Sequence, residues 1–187
     1  MRVEFRLSGS GGQGLLLAGI VLAEAAIHED KNAVQTQSYG PEARGGASKA
    51  EVVVSDEDID YPKATDPDYL LALTAESYRT YGKLMGGGLI IVDASVQLSD
   101  EITARTVQVP ILQTASEVLG KMVVANIVAL GVLGGLSKIV KPESLEAAVK
   151  NRVPRGTEDL NLKALRAGFE LASVAASRKD ARRPAKA

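Results

Sequence analysis

Near the start of this chain, an apolar–charged alternation, a six-residue glycine-rich turn and a long Leu/Ala run follow one another without a break. Val3, Phe5 and Leu7 alternate with Glu4 and Arg6, the period-two pattern of a strand. Gly9-Ser10-Gly11-Gly12-Gln13-Gly14 comes next, and Leu15–Ile27 is strong helix-forming material. A strand that turns tightly into a helix lays that helix back on its own sheet, the opening move of an α/β layer fold. In the Gly9-x-Gly11-x-x-Gly14 spacing, glycines permit a tight turn and close backbone approach. The helix start behind them offers free N–H groups and the positive end of its dipole, which suits a phosphate or pyrophosphate. The same pattern also describes a close-packed strand–helix turn that holds no ligand.

Further along, Ala33–Thr36, Ala47–Val54, Tyr69–Leu73, Leu89–Val92 and Thr106–Val109 read as short strands. Ala75–Leu84, Val118–Leu133, Pro142–Lys150 and Leu160–Ala176 read as helices, the third with proline at a favoured first position. Ser38–Gly46 is a loop punctuated by Gly40-Pro41 and Gly45-Gly46, and residues 56–68 form a polar connection. Strands alternating with helices predict an α/β fold, a three-layer α/β/α architecture with a mostly parallel sheet. Residues 1–177 are expected to form one domain. Residues 178–187, five of them basic and one acidic, read as a disordered tail.

Composition narrows the chemistry. The chain has no cysteine and a single histidine, His28. That excludes a thiol nucleophile, a disulfide framework and cysteine-ligated clusters carried by this chain, and a His-rich metal site. The formal charge of -1 and the scarcity of aromatics, five Tyr and two Phe, argue against nucleic acid as a partner. No apolar stretch is long enough to span a bilayer and no secretory leader is read, so a soluble, cytoplasmic protein is expected.

A nicotinamide dinucleotide fold wants an acid where the second strand ends, to hold ribose hydroxyls. Here that strand leads into Gln37-Ser38-Tyr39, and Glu29 and Asp30 precede it. No Gly-Lys-Ser/Thr is present, so the turn is not a nucleoside-triphosphate P-loop. A second cluster, Tyr39-Gly40-Pro41-Glu42-Ala43-Arg44-Gly45-Gly46, lets backbone and guanidinium approach one anion together. In a parallel sheet it would share an edge with the first loop; it also reads as a turn pinned by Arg44 and Glu42. Asn126, set in an apolar helix, needs hydrogen-bond partners, in the core or near a ligand or subunit boundary. His28 suits the end of the first helix, and Asp93 reads as structural. No nucleophile–base pair or acid–base couple emerges, which points to a binding or assembly subunit whose chemistry lies on other chains.

Ser8 to Gly14, Ser38 to Gly46, Ser55-Asp56 and Asn126-Ile127-Val128-Ala129-Leu130-Gly131, in that order, resemble the gamma subunit of 2-oxoacid:ferredoxin oxidoreductases, most closely the 2-oxoglutarate branch. The resemblance runs from about residue 3 to 170. It implies a complex that cleaves a 2-oxoacid oxidatively to an acyl-CoA and CO2 while reducing ferredoxin. Thiamine diphosphate, magnesium and iron–sulfur clusters would then sit on alpha, beta and delta-type partner subunits. The gamma subunit itself would be non-catalytic and would contact coenzyme A. By that resemblance Gly9, Ser10, Gly11, Gly12, Gln13 and Gly14 cradle phosphate, and Tyr39, Arg44 and Gly45 lie near the coenzyme or the partner. Two other roles stay open: a purely structural assembly subunit, and a free-standing nucleotide-binding protein. An isolated gamma chain is expected to self-associate through surface meant for its partners.

Overall fold

The computed structural model describes residues 1–37 and 47–180, the last three by backbone alone. Six strands form one sheet: β1 (Arg2–Gly9), β2 (Asn32–Gln37), β3 (Ser48–Ser55), β4 (Tyr69–Ala72), β5 (Leu89–Asp93) and β6 (Arg105–Val109). Their order across the sheet is β2-β3-β1-β4-β5-β6. The pairs β1/β4, β4/β5 and β5/β6 are parallel, whereas β3 runs antiparallel to both β1 and β2. The expected α/β fold is therefore present with a mixed sheet. The reversal has a simple cause: only ten residues separate β2 from β3. A parallel partner needs a crossover of a dozen residues or more, so so short a connection returns the chain antiparallel.

Helices cover the sheet unequally. On one face lie α1 (Leu15–Ile27), α4 (Ala125–Ser137), α5 (Pro142–Arg152) and α6 (Glu158–Asp180). They pack on Phe5, Leu7, Val52, Val54, Leu71 and Ile91. On the other face α2 (Ala75–Gly82) covers β4 and β5 through Tyr78 and Tyr81, against Leu70, Ala72, Ile90 and Val92. Strands buried on both faces read as continuous apolar runs, and β4 and β5 do. α6 continues to Asp180, past the boundary expected at 177, while the expected tail residues 181–187 lie outside the described residues.

The helix expected over 118–133 is broken. After β6, Ile111–Gln113 (α3) passes into a π-type turn, Thr114–Val118, and a short 3-10 turn, Met122–Val124, before α4 starts at Ala125. Gly120, at φ +65°, reverses the chain, and the Lys121 N–H bonds back to the Ala115 carbonyl at 2.9 Å. The left-handed glycine ends one helical stretch and the next begins afresh.

On the α2 side of the sheet, the face of β1 and β3 is charged, yet it is buried. Arg6 and Glu51 are direct register partners, 7% and 4% exposed. The Arg6 guanidinium contacts the Glu51 carboxylate at 2.8 Å, donates to the Ala64 carbonyl at 2.7 Å, and lies 5.4 Å from the Tyr81 ring centroid. Lys49 reaches the same Glu51 oxygen at 3.3 Å. Glu4 accepts from the Asp66 N–H and pairs with Arg2 at 2.8 Å. The strand alternation thus separates an oily face from an ionic one rather than core from solvent.

On the helical face, Glu24 of α1 pairs with Arg152 and accepts from Asn151 at 3.2 Å, joining α1 to α5. Burial works against this carboxylate, but the hydrogen bonds and charge of Arg152, Asn151 and His28 prevail and hold its pKa below the ordinary glutamate value. A folded-state pKa below the unfolded one stabilises the fold above the ordinary carboxylate range, and that stability is lost as pH falls through the depressed value. Arg152→Ala is therefore expected to lower the urea midpoint at neutral pH. Its deficit against wild type should shrink at a pH below the depressed value, where Glu24 is protonated in both. An equal deficit at both pH values would contradict this linkage.

Candidate functional site: the glycine-rich edge of the sheet

β1 delivers its C-terminal end at the middle of the sheet, and Gly9 opens the loop there. A Cβ on Gly9 would stand 2.9 Å from Leu15 Cδ1, so the strand end and the helix start are packed at glycine distance. Gly12 and Gly14 hold φ +85° and +73°, a region that L side chains rarely enter. Gly14 is the N-cap of α1, so no side chain of its own caps the helix, and the first turn carries no acid. The helix start therefore presents its N–H groups and the positive end of its dipole toward the loop. Ser10, Gly11 and Gly12 at the tip are exposed, and nothing lies within 4 Å of a Cβ on Gly12.

The loop is closed on itself and tied at both ends. Gln13 donates its backbone N–H to the Ser10 carbonyl at 3.3 Å, and its side-chain oxygen accepts the Ser10 N–H at 2.8 Å. Gln13 thus braces the turn from inside. At the first end, Ser8 Oγ donates to the Ser48 carbonyl at 2.8 Å and Ser48 Oγ donates to the Gly9 carbonyl at 3.0 Å, a reciprocal pair across β1 and β3. At the second end, Asn126 Nδ2 donates to the Gly14 carbonyl at 3.1 Å, and Asn126 Oδ1 accepts the Ile127 N–H at 2.9 Å. Ser8 and Ser48 were given no role from the sequence; the available signal was a serine directly before the first glycine-rich cluster and another two residues after the second.

Tyr39, Arg44 and Gly45 lie outside the described residues. The residues that bracket them are placed. Gln37 pairs with Ala50, which pairs with Leu7, and Ser48 pairs with Gly9. β2 therefore ends and β3 begins at the edge that carries the first glycine-rich loop, and the two strands pair antiparallel rather than parallel. Asn126 fills the core hydrogen-bonding role open to it and also touches the loop. His28 closes α1 through its backbone N–H, which bonds to the Glu24 carbonyl. Asp93 is structural: it accepts from the Ser95 N–H and hydroxyl and from the Leu112 N–H at 2.8 Å.

The same edge carries exposed apolar side chains. Leu16 stands in the first turn of α1, and Val118, Met122 and Val123 precede α4, Val118 and Val123 at 73% and 78% exposure. An open depression of about 430 Å³, lined by Val3, Asp68, Tyr69, Gly88, Leu89, Arg105 and Leu136, lies at the opposite edge, where β1, β4, β5 and β6 begin. Among the described residues, no helix is long and apolar enough to cross a membrane.

Comparison with known proteins bears on the family and the fold. The chain is 49% identical over 177 residues to the 2-oxoglutarate synthase subunit KorC of Methanocaldococcus jannaschii, covering 92% of this chain and 95% of that protein. A crystal structure of a keto/oxoacid ferredoxin oxidoreductase gamma subunit from Geobacter sulfurreducens superposes with a TM-score of 0.85 at 46% identity, over 94% of this chain and 98% of that one. The 2-oxoglutarate:ferredoxin oxidoreductase from Magnetococcus marinus, solved with 2-oxoglutarate, coenzyme A and succinyl-CoA bound, matches with a TM-score of 0.82 at 25% identity. There the fold covers 92% of this chain but only 31% of the longer one. A family profile described as pyruvate ferredoxin/flavodoxin oxidoreductase matches residues 4–171. The likeness to gamma subunits read from the glycine-rich clusters is thereby borne out, and the chain belongs to the pyruvate ferredoxin/flavodoxin oxidoreductase family.

Proposed function

We propose that this chain is the gamma-type subunit of a cytoplasmic 2-oxoacid:ferredoxin oxidoreductase acting on 2-oxoglutarate, and that its glycine-rich loop contacts the phosphates of coenzyme A. The observation that carries the reading is the start of α1: Gly14 in a left-handed N-cap, no acid in the first turn, and an exposed Ser10–Gly12 tip. Such a helix start attracts an anion through its N–H groups and dipole. Gly9, Ser10, Gly11, Gly12, Gln13 and Gly14 form this cradle, with Gln13 bracing it. Arg44 would add a guanidinium to the same anion, with Tyr39 and Gly45 near the coenzyme or the partner subunit, since β2 ends and β3 begins at this edge. The chain holds and orients the coenzyme; residues 1–177 act as the domain that does so. Thiamine diphosphate, magnesium and iron–sulfur clusters belong to alpha, beta and delta-type partners, which carry out the oxidative decarboxylation and pass electrons to ferredoxin.

The exposed Leu16, Val118, Met122 and Val123 favour a second role at the same edge, docking against a partner subunit and, in the isolated chain, self-association. One substitution separates coenzyme binding from assembly alone. Ser10→Asp places a negative charge beside the α1 start, where it interacts favourably with the dipole but repels phosphate. In the assembled complex it is expected to raise the KM for coenzyme A about tenfold, worth about 1.4 kcal/mol. The KM for 2-oxoglutarate and the melting temperature of the complex should stay in place. A fully assembled complex with an unchanged KM for coenzyme A would leave the assembly role alone standing.

A further inference from the structure

The geometry points to Asn126 as a positioning residue for coenzyme A binding, a latch that holds the glycine-rich loop from a helix 112 residues away in sequence; this rests on the coenzyme reading above. Among the described residues, two side chains from outside the loop hydrogen-bond to its backbone: Ser48 on Gly9 and Asn126 on Gly14. Ser48 belongs to the strand neighbouring β1 and adds little to what the β ladder already sets. At the helix end the Gly14 carbonyl accepts the Ala18 N–H at 3.2 Å within α1, and among the described residues Asn126 is the side chain that ties it to another helix.

Both halves of the Asn126 amide are occupied. Its oxygen accepts the Ile127 N–H at the start of α4, and its nitrogen donates to the Gly14 carbonyl. The side chain is 5% exposed, so neither bond is replaced by water without opening the packing. The contact is also close: a Cβ on Gly14 would stand 2.6 Å from Asn126 Nδ2, so the amide lies directly over the left-handed cap residue. Gly14 is the pivot between loop and helix. Its carbonyl lies in one peptide plane with the Leu15 N–H, the first of α1, so holding the carbonyl fixes where that N–H points. An asparagine that fixes the Gly14 carbonyl therefore pre-organises the anion cradle without touching the anion. A flexible cradle would have to be ordered on binding, and that ordering weakens affinity.

The two amide functions can be separated. Asn126→Asp keeps an oxygen to accept the Ile127 N–H and removes the donor to Gly14. Asn126→Ser, as a second variant, keeps a hydroxyl near the helix start and is too short to reach Gly14. In the assembled complex without coenzyme, both variants are expected to speed amide hydrogen exchange in residues 9–17 about tenfold, with exchange in the body of α4 unchanged. In steady-state assays the KM for coenzyme A should rise about tenfold while the KM for 2-oxoglutarate stays within twofold. Unchanged exchange in residues 9–17 in both variants would overturn the latch itself. Faster exchange with an unchanged KM for coenzyme A would overturn the positioning role. If Ser10→Asp then also left that KM unchanged, the coenzyme reading of the loop would fall with it. Equal losses for both substrates would assign Asn126 to assembly and likewise overturn the proposal.

Discussion

Replacing Gly168 with valine is expected to destabilise the chain by about 4 kcal/mol or more, a large part of the 5–15 kcal/mol that holds a typical domain together. α4 and α6 cross at a point where two glycines face each other. A Cβ on Gly168 would be driven into the Val128 carbonyl oxygen and would stand 2.8 Å from Gly131 Cα and 2.9 Å from the Val132 nitrogen. A Cβ on Gly131 would meet the Leu165 carbonyl oxygen and Gly168 Cα in the same way. Overpacking against side chains is relieved by rotamer changes and commonly costs about 1–3 kcal/mol. Here the obstacles are backbone atoms on both sides, and the only relief is to move the helices apart. That would open the layer in which Ile127, Val128, Leu130, Leu133, Leu162 and Leu165 are buried. Valine favours a helix over glycine by only about 0.4 kcal/mol, so intrinsic propensity works weakly in the opposite direction. Gly87→Ala, where a Cβ meets nothing within 4 Å, serves as the matched control and should be nearly silent. Urea unfolding of the three chains measures the difference; a Gly168→Val midpoint close to wild type would show that the crossing yields more easily than its geometry implies.

The second large effect concerns the ionic face. Arg6→Ala is expected to cost about 3 kcal/mol, near the lower end of the 3–5 kcal/mol typical when one partner of a buried pair is removed. The loss leaves the Glu51 carboxylate buried, the Ala64 carbonyl without its Arg6 donor, and the Tyr81 ring without the guanidinium beside it. Lys49, 3.3 Å from the same Glu51 oxygen, keeps the penalty from being larger. The double variant Arg6→Met with Glu51→Leu removes both charges together and should recover most of the loss, because apolar residues of similar size often replace a buried pair at no net cost. Equal stabilities of the single and double variants would show that the penalty comes from lost packing and not from a stranded charge.

Much of this was legible in the amino-acid sequence, and the exceptions share physical causes. α1 was readable to the residue, because a left-handed glycine begins it and the Leu/Ala run ends at His28. Pro142 marked the start of α5 for an equally local reason. The break at Gly120 was hidden, since Val118-Leu119 before it and Met122-Val123-Val124 after it lead into the apolar run of α4, and periodicity alone does not separate two short helical pieces from one long helix. The direction of β3 was set by the length of its connection to β2, which the apolar pattern of the strand does not carry. In the site, the glycine spacing announced the loop, and Asn126 announced that it needed partners. Which partners it finds is a contact across 112 residues, beyond any local signal. The burial of Glu4, Arg6 and Glu51 was likewise invisible, because alternating charges read as solvent-facing until their partners are placed.

The long reach of Asn126 also has a consequence for how the protein is made. The glycine-rich loop leaves the ribosome well before α4, and the side chain that secures Gly14 is synthesised 112 residues later. At the usual 5–20 residues per second of synthesis, that interval is roughly 6–22 seconds. Ser48 arrives much sooner, so the nascent chain acquires the strand end of its loop first and the helix end last. During those seconds the cradle is assembled but unlocked, and the helix that locks it is the one that must then find α6 through a pair of glycines. Emergence of α4 from the ribosome thus sets both the closing of the core and the hardening of the loop, so a chain truncated before Ala125 carries the site's sequence without its shape.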